Sequence, residues 1–128
     1  MLSTGVDLVE IARVAHLLER YETRFLERIY TPNERLYSRE HPAELAARLA
    51  AKEAVSKALG VGIRHISPAG IGWREAEVLN DPLGKPHLVL HGHAKTLAQT
   101  QRLTEWSVSL SHDGGFAIAF VVALGDLK

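Results

Sequence analysis

Residues 43–60 read AELAARLAAKEAVSKALG, and this stretch decides the fold. Almost every position from Ala43 to Leu59 is a strong helix former, and Gly60 stands where a left-handed cap residue belongs. Downstream the apolar period changes. Glu105–Ser111 alternates, and after His112-Asp113-Gly114-Gly115 the apolar run Phe116–Leu124 follows, which predicts two strands joined by a turn. A second hairpin is expected from Trp73–Leu79, the turn Asn80-Asp81-Pro82-Leu83-Gly84 and His87–Leu90. Upstream, a short strand Thr4–Leu8 runs into one helix over Val9–Ile29, where the period becomes about 3.6. Thr31-Pro32-Asn33-Glu34 is a capping box that opens a short helix to about Glu40, and His41-Pro42 ends it. A last helix is expected over Gly92–Leu103. Helices grouped early and antiparallel hairpins late predict an α+β fold, a small antiparallel sheet packed against helices.

The 128 residues fit one domain, 1–128, and 46% hydrophobic with 23% charged residues is an ordinary globular balance that excludes disorder and fibres. The chain has no cysteine, so thiolate metal sites and disulfides are excluded and a reducing compartment is expected. Fifteen Lys+Arg balance fifteen Asp+Glu, so any affinity for an acidic partner must come from local clustering. No run of about 18 apolar residues suits a membrane, and no signal-peptide pattern opens the chain. A soluble, cytoplasmic protein is expected. The few dispersed aromatics offer no platform for nucleic-acid bases.

Three constellations carry chemistry. On a continuous helix Arg13, Arg20, Arg24 and Arg28 fall within a wedge about 80° wide with Leu17 inside it, while Val14, Leu18, Tyr21, Phe25 and Ile29 form the core wedge. That stripe suits docking of an acidic helix, or else it is a solvated face held by local acid–arginine pairs. Glu53 and Lys57 stand i,i+4 on the alanine-rich helix, on the side of Ala46, Leu49 and Ala50, with Glu44, Arg48 and Lys52 forming the opposite polar side. Glu53 and Lys57 are therefore either a buried ion pair or part of a site, and with Asp7 at the strand end Glu53 could hold a hard divalent cation. Alternation places Ser107, Ser109 and Ser111 on one strand face, ahead of His112, as donors to a phosphorylated ligand or as a plain exposed serine face. His87, His91 and His93 lack a fourth ligand for zinc.

Taken together these residues resemble the holo-acyl-carrier-protein synthases, the small bacterial 4′-phosphopantetheinyl transferases. The resemblance rests on Gly5-Val6-Asp7-Leu8-Val9-Glu10-Ile11 with Arg13, Tyr30-Thr31-Pro32-Asn33-Glu34, Ala51-Lys52-Glu53-Ala54 and Lys57-Ala58-Leu59-Gly60. Gly70-Ile71-Gly72, Gly84-Lys85-Pro86 and Ser109-Leu110-Ser111-His112 extend it almost end to end. It implies transfer of the phosphopantetheine arm of coenzyme A to a serine of apo-acyl carrier protein, in support of fatty acid biosynthesis. It also implies Mg²⁺ on Asp7 and Glu53, with Lys57 at the same phosphates. Coenzyme A would meet Lys57, Gly60, Lys85, Pro86, Ser109, Ser111 and His112, and the catalytic set would be Glu53, Lys57 and His112. Glu53 is the preferred acceptor of the serine proton and Asp113 the second candidate. Arg13, Leu17, Arg20 and Arg24 match the region where the family docks its carrier protein. The resemblance further implies a homotrimer with sites shared between subunits, consistent with a last strand that is apolar on both faces and so expected to be buried on both. Two rival readings start from the same residues. One is a non-enzymatic adaptor for an acidic protein, and the other a different Mg²⁺-dependent phosphate-transfer enzyme.

Overall fold

The computed structural model describes residues 1–126. Strand β1 (Leu2–Glu10) leads into α1 (Ile11–Tyr21), α2 (Thr23–Ile29), α3 (Pro32–Ser38) and the long α4 (Pro42–Leu59). After a loop and a 3₁₀ turn come the hairpin β2 (Ala76–Asn80) and β3 (Pro86–Leu90), α5 (Gly92–Thr100), β4 (Leu103–Asp113) and β5 (Phe116–Gly125). The order β1-β5-β4 makes a three-stranded antiparallel sheet, and β2-β3 forms a separate two-stranded one. The α+β expectation holds.

Helix α4 lies against the sheet, and small residues make the approach possible. Ala117, Ala119, Val121 and Ala123 of β5 are fully buried, as are Ala46, Ala50, Ala51 and Ala54 of α4. Gly5 of β1 is the tightest point, since a Cβ there would sit 1.9 Å from the Ala54 carbonyl oxygen. At the far end Gly60 closes α4 at φ 77°, its N–H donating to the Lys57 and Ser56 carbonyls. The Thr31–Glu34 capping box forms as read. Around this layer Val14, Phe25, Leu26, Ile29 and Tyr30 complete the core.

Several expectations need correction. The single helix Val9–Ile29 is two helices: Glu22 has φ 48° and ψ −124°, so the chain turns there and drives Phe25, Leu26 and Ile29 inward. Tyr21, placed on the core wedge, is consequently 43% exposed. Arg48 and Lys52, read as part of an outer polar side of α4, are 1% and 0% exposed. Lys52 finds buried acceptors and Arg48 half-buried ones, which a periodicity count cannot foresee. Strand β4 continues through His112 and Asp113, leaving Gly114-Gly115, both at positive φ, as the turn. Ala76, not Trp73, opens β2.

Among the described residues none covers the sheet's second face. Phe116, Ile118, Phe120 and Leu124 of β5 are each about 40–46% exposed, beside the exposed Leu2, Val6 and Leu8 of β1. Within one chain β5 is therefore buried on one face only. No helix among the described residues is long and apolar enough to cross a membrane.

Candidate active site

Asp7 leaves the covered face of β1, and Glu53 and Lys57 leave the fourth and fifth turns of α4 toward it. Lys57 Nζ donates to Asp7 Oδ1 at 2.9 Å and to the Val6 carbonyl at 3.0 Å. The ion pair on this helix edge is thus Lys57–Asp7, and Lys57 remains 54% exposed while the Asp7 side chain is 14% exposed. Among the described residues no N–H, ammonium or hydroxyl donor reaches the buried Asp7 Oδ2. Glu53 is half-buried beside it, and its carboxyl is pushed up to about 8. Burial is the largest cause, a side-chain hydrogen bond to Asp7 the next and the charge of that carboxylate the third, with Lys57 and Arg13 pulling the other way.

Two carboxylates held close, bridged near neutrality only by the proton that Glu53 retains, form a site short of positive charge. A hard divalent cation fits that donor set: Mg²⁺ binds through one or two carboxylates and keeps water and phosphate oxygens for its other positions. Among the described residues no group of three or more His, Cys, Asp or Glu side chains could hold a metal, so such a cation would rely on these two.

The remaining expected site residues gather elsewhere. Beyond the opposite end of α4, a cavity of about 390 Å³ is lined by Glu44, Arg48, Asn80, Pro86, Ser111 and His112, with Tyr37 on its rim. Arg48 Nη2 donates to Asn80 Oδ1 at 2.6 Å, Nη1 donates to the Glu44 carbonyl and carboxylate at 3.2 Å, and the guanidinium lies 4.9 Å over the Tyr37 ring. Its Nε is buried and unpartnered. Sequence reasoning missed Arg48 here; its one signal was an arginine in an alanine run, read as surface. Lys85 is exposed on the β2–β3 turn beside this cavity, where Gly84 and Pro86 line it. Ser109 lies on the uncovered sheet face opposite Phe120, whereas Val108 and Leu110 alternate to the α4 side with His112. Gly60 caps the helix end near Lys57. Within one chain, then, Asp7, Glu53, Lys57 and Gly60 form one group, and Pro86, Ser111, His112 and Arg48 another. None of the first group lines the second group's cavity.

The arginine face is split by the break at Glu22. Arg13 and Arg20 stand on α1, Arg24 and Arg28 on α2, all exposed, with Leu17 half-buried between them. Arg20 packs 5.5 Å over the Tyr21 ring, and Tyr21, Arg24, Phe25 and Arg28 border a depression of about 340 Å³. Arg28 reaches His65 Nε2 at 2.5 Å. No carboxylate pairs with any of these four arginines among the described ion pairs, which favours an unfilled face over a locally neutralised one. Of the histidines weighed for zinc, His91 bonds Glu77 and His93 faces the Ala69 carbonyl.

Comparison with known proteins adds the family. A model described as the 4′-phosphopantetheinyl transferase superfamily matches residues 3–121. A curated holo-[acyl-carrier-protein] synthase of Herpetosiphon aurantiacus is 53% identical over 127 residues, covering 98% of this chain and 100% of that protein. One from Geobacter metallireducens is 46% identical, covering 95% and 96%. The crystal structure of Helicobacter pylori holo-[acyl-carrier-protein] synthase in complex with coenzyme A superposes with a TM-score of 0.83 at 34% identity, covering 94% of this chain and 99% of that one.

Proposed function

The chain belongs to the 4′-phosphopantetheinyl transferase superfamily, and from that premise we propose that it is a holo-acyl-carrier-protein synthase. It transfers the 4′-phosphopantetheine arm of coenzyme A to a serine hydroxyl of apo-acyl carrier protein and releases adenosine 3′,5′-bisphosphate. The observation that carries this reading is the charge-deficient pair Asp7–Glu53, with Lys57 on the remaining Asp7 oxygen. Mg²⁺ held by Asp7 and Glu53 would neutralise the pyrophosphate as its bond breaks.

The chain's own groups supply the rest. Lys57, paired with Asp7 yet half-exposed, adds positive charge at the same phosphates. Glu53, once its own proton has been displaced, is the acceptor of the serine proton. His112, Ser111, Pro86 and Lys85 receive the nucleotide end of coenzyme A, with Arg48 adding a guanidinium to the cavity wall. Gly60 and Ser109 remain candidate contacts. Arg13, Leu17, Arg20 and Arg24 dock the acidic carrier protein, bidentate arginine contacts giving orientation and faster encounter.

The active enzyme is a homotrimer in this proposal. Two observations support it: the apolar face of Leu2, Val6, Leu8, Phe116, Ile118, Phe120 and Leu124, and the separation of the two residue groups. Assembly that covers that face would set Asp7, Glu53 and Lys57 of one protomer against the His112 cavity of its partner. We assign the activity to the cytoplasm, in the supply of carrier protein for fatty acid biosynthesis. The absence of cysteine suits that reducing compartment.

Intact-mass spectrometry of apo-acyl carrier protein tests the reading, after incubation with this protein and coenzyme A in Mg²⁺ or in chelator. A gain of one arm that the chelator abolishes is expected. No gain on several carrier proteins would leave an adaptor for acidic proteins, and nucleotide turnover without a carrier would mean a different phosphate-transfer enzyme.

A further inference from the structure

Glu34, Arg48 and Lys52 are the most deeply buried charged side chains among the described residues, and none belongs to the proposed chemistry at Asp7. Lys52 Nζ donates to Glu34 Oε1 at 2.7 Å and to the Ala76 carbonyl at 2.9 Å, and lies 5.7 Å from the Tyr30 ring centre. Glu34 is used at both oxygens: Oε1 also accepts from the Thr31 N–H and Oε2 from the Val78 N–H, each at 2.9 Å. One turn earlier on α4, Arg48 grips Asn80. Strand β2 is thus tied at Ala76, Val78 and Asn80, its first, middle and last residues, to charged groups on α3 and α4.

That clamp joins the two residue groups of the active site. The β2–β3 turn it holds carries Gly84 and Pro86 to the His112 cavity. On α4 the residue after Lys52 is Glu53, about 100° further round the helix and facing Asp7. Any rotation or slide of α4 that loosens Lys52 moves the Glu53 carboxylate with it. Apolar residues of similar size would hold these elements together about as firmly, since burying two charges costs desolvation that their attraction only offsets. What an ammonium with fixed acceptors adds is direction: it sets the rotation and the register of α4 where apolar contact would tolerate several.

We propose that Lys52, locked by Glu34 and the Ala76 carbonyl, is a positioning residue that sets Glu53 against Asp7 and holds the β2–β3 wall at the nucleotide cavity. The inference rests on the proposed transferase reading and names a residue within that machinery.

The test compares the parent with Lys52→Met and with the double variant Lys52→Met/Glu34→Gln, which removes both buried charges. Circular dichroism and thermal unfolding report the fold. Mg²⁺ affinity is read by calorimetry without turnover, and kcat and the KM for carrier protein by mass spectrometry. The expected double variant is folded, binds Mg²⁺ about tenfold more weakly, loses about tenfold or more in kcat, and keeps its KM for carrier protein, because α1 and α2 are untouched. A folded double variant with parental Mg²⁺ affinity and kcat would overturn the proposal. So would failure of both variants to fold, which assigns the pair to stability alone. An inactive parent would count against the transferase reading, while the turnover-free Mg²⁺ affinities would still decide whether Lys52 positions Glu53.

Discussion

Two adjacent residues of α4, Lys52 and Glu53, bring ionisable groups out of water with opposite results. Lys52 is fully buried, and its charge is answered by Glu34, by a backbone carbonyl and by an aromatic ring. Glu53 faces another carboxylate with only its own retained proton to bridge them, and Lys57 reaches the other oxygen of Asp7. The first arrangement is complete without a ligand. The second holds unfavourable charge in place, and such placement persists where a further group relieves it. Depth of burial therefore does not distinguish structure from function on this helix, whereas satisfaction does.

The largest test of that contrast is Asp7→Ala or Glu53→Ala. Either is expected to cut arm transfer by about 10³-fold, several kcal/mol of transition-state stabilisation, with the circular dichroism spectrum unchanged. Full activity of both variants in Mg²⁺ would remove the site assignment. Across the helix the effect reverses in kind. Glu34→Ala leaves the Lys52 cation unanswered and is expected to cost about 3–5 kcal/mol of stability in denaturant unfolding. A loss below about 1 kcal/mol would mean that water reaches Lys52.

Smaller effects sharpen the comparison at the surface. Arg20→Glu or Arg24→Glu is expected to raise the KM for carrier protein roughly tenfold, more at low salt, with the KM for coenzyme A unchanged. An unaltered carrier KM would dismiss the docking face. The smallest effect concerns pH. Glu53 has its carboxyl raised from the ordinary 4.5 to about 8, so between those values the folded protein holds a proton that the unfolded chain releases. The stability contributed is complete below pH 4.5, is lost as pH rises toward 8, and levels off above that. Melting temperatures of metal-free protein should decline over this window, and Glu53→Gln should flatten the decline. Parallel profiles for the two proteins would place the shift elsewhere.

How much of this could be read from the chain depends on what kind of signal each feature leaves. Helix α4 with its Gly60 cap, the Thr31–Glu34 capping box and the Gly114-Gly115 turn are local devices, and each forms where its residues stand. The break at Glu22 carries no glycine or proline, because tertiary packing of Phe25 and Leu26 sets the direction of α2. Asp7, Glu53 and Lys57 do meet in space, but the partner of Lys57 is Asp7, fifty residues away in sequence, and not its helical neighbour. Arg48 and Lys52 were legible only as charges, and charges default to the outside unless the acceptors are known. Alternation along β4 is correct as read, yet it cannot say which face α4 covers, and so it could not tell which of Ser109, Ser111 and His112 reach the cavity.

The most direct test of the unsatisfied pair is a calorimetric titration of Mg²⁺ into metal-free protein at pH 7 in buffers of different ionisation enthalpy. Binding at Asp7 and Glu53 must expel the proton that Glu53 retains, so release of about one proton per cation is expected in the parent and none in Glu53→Gln. Binding without proton release, or with equal affinity in Asp7→Ala, would contradict the account.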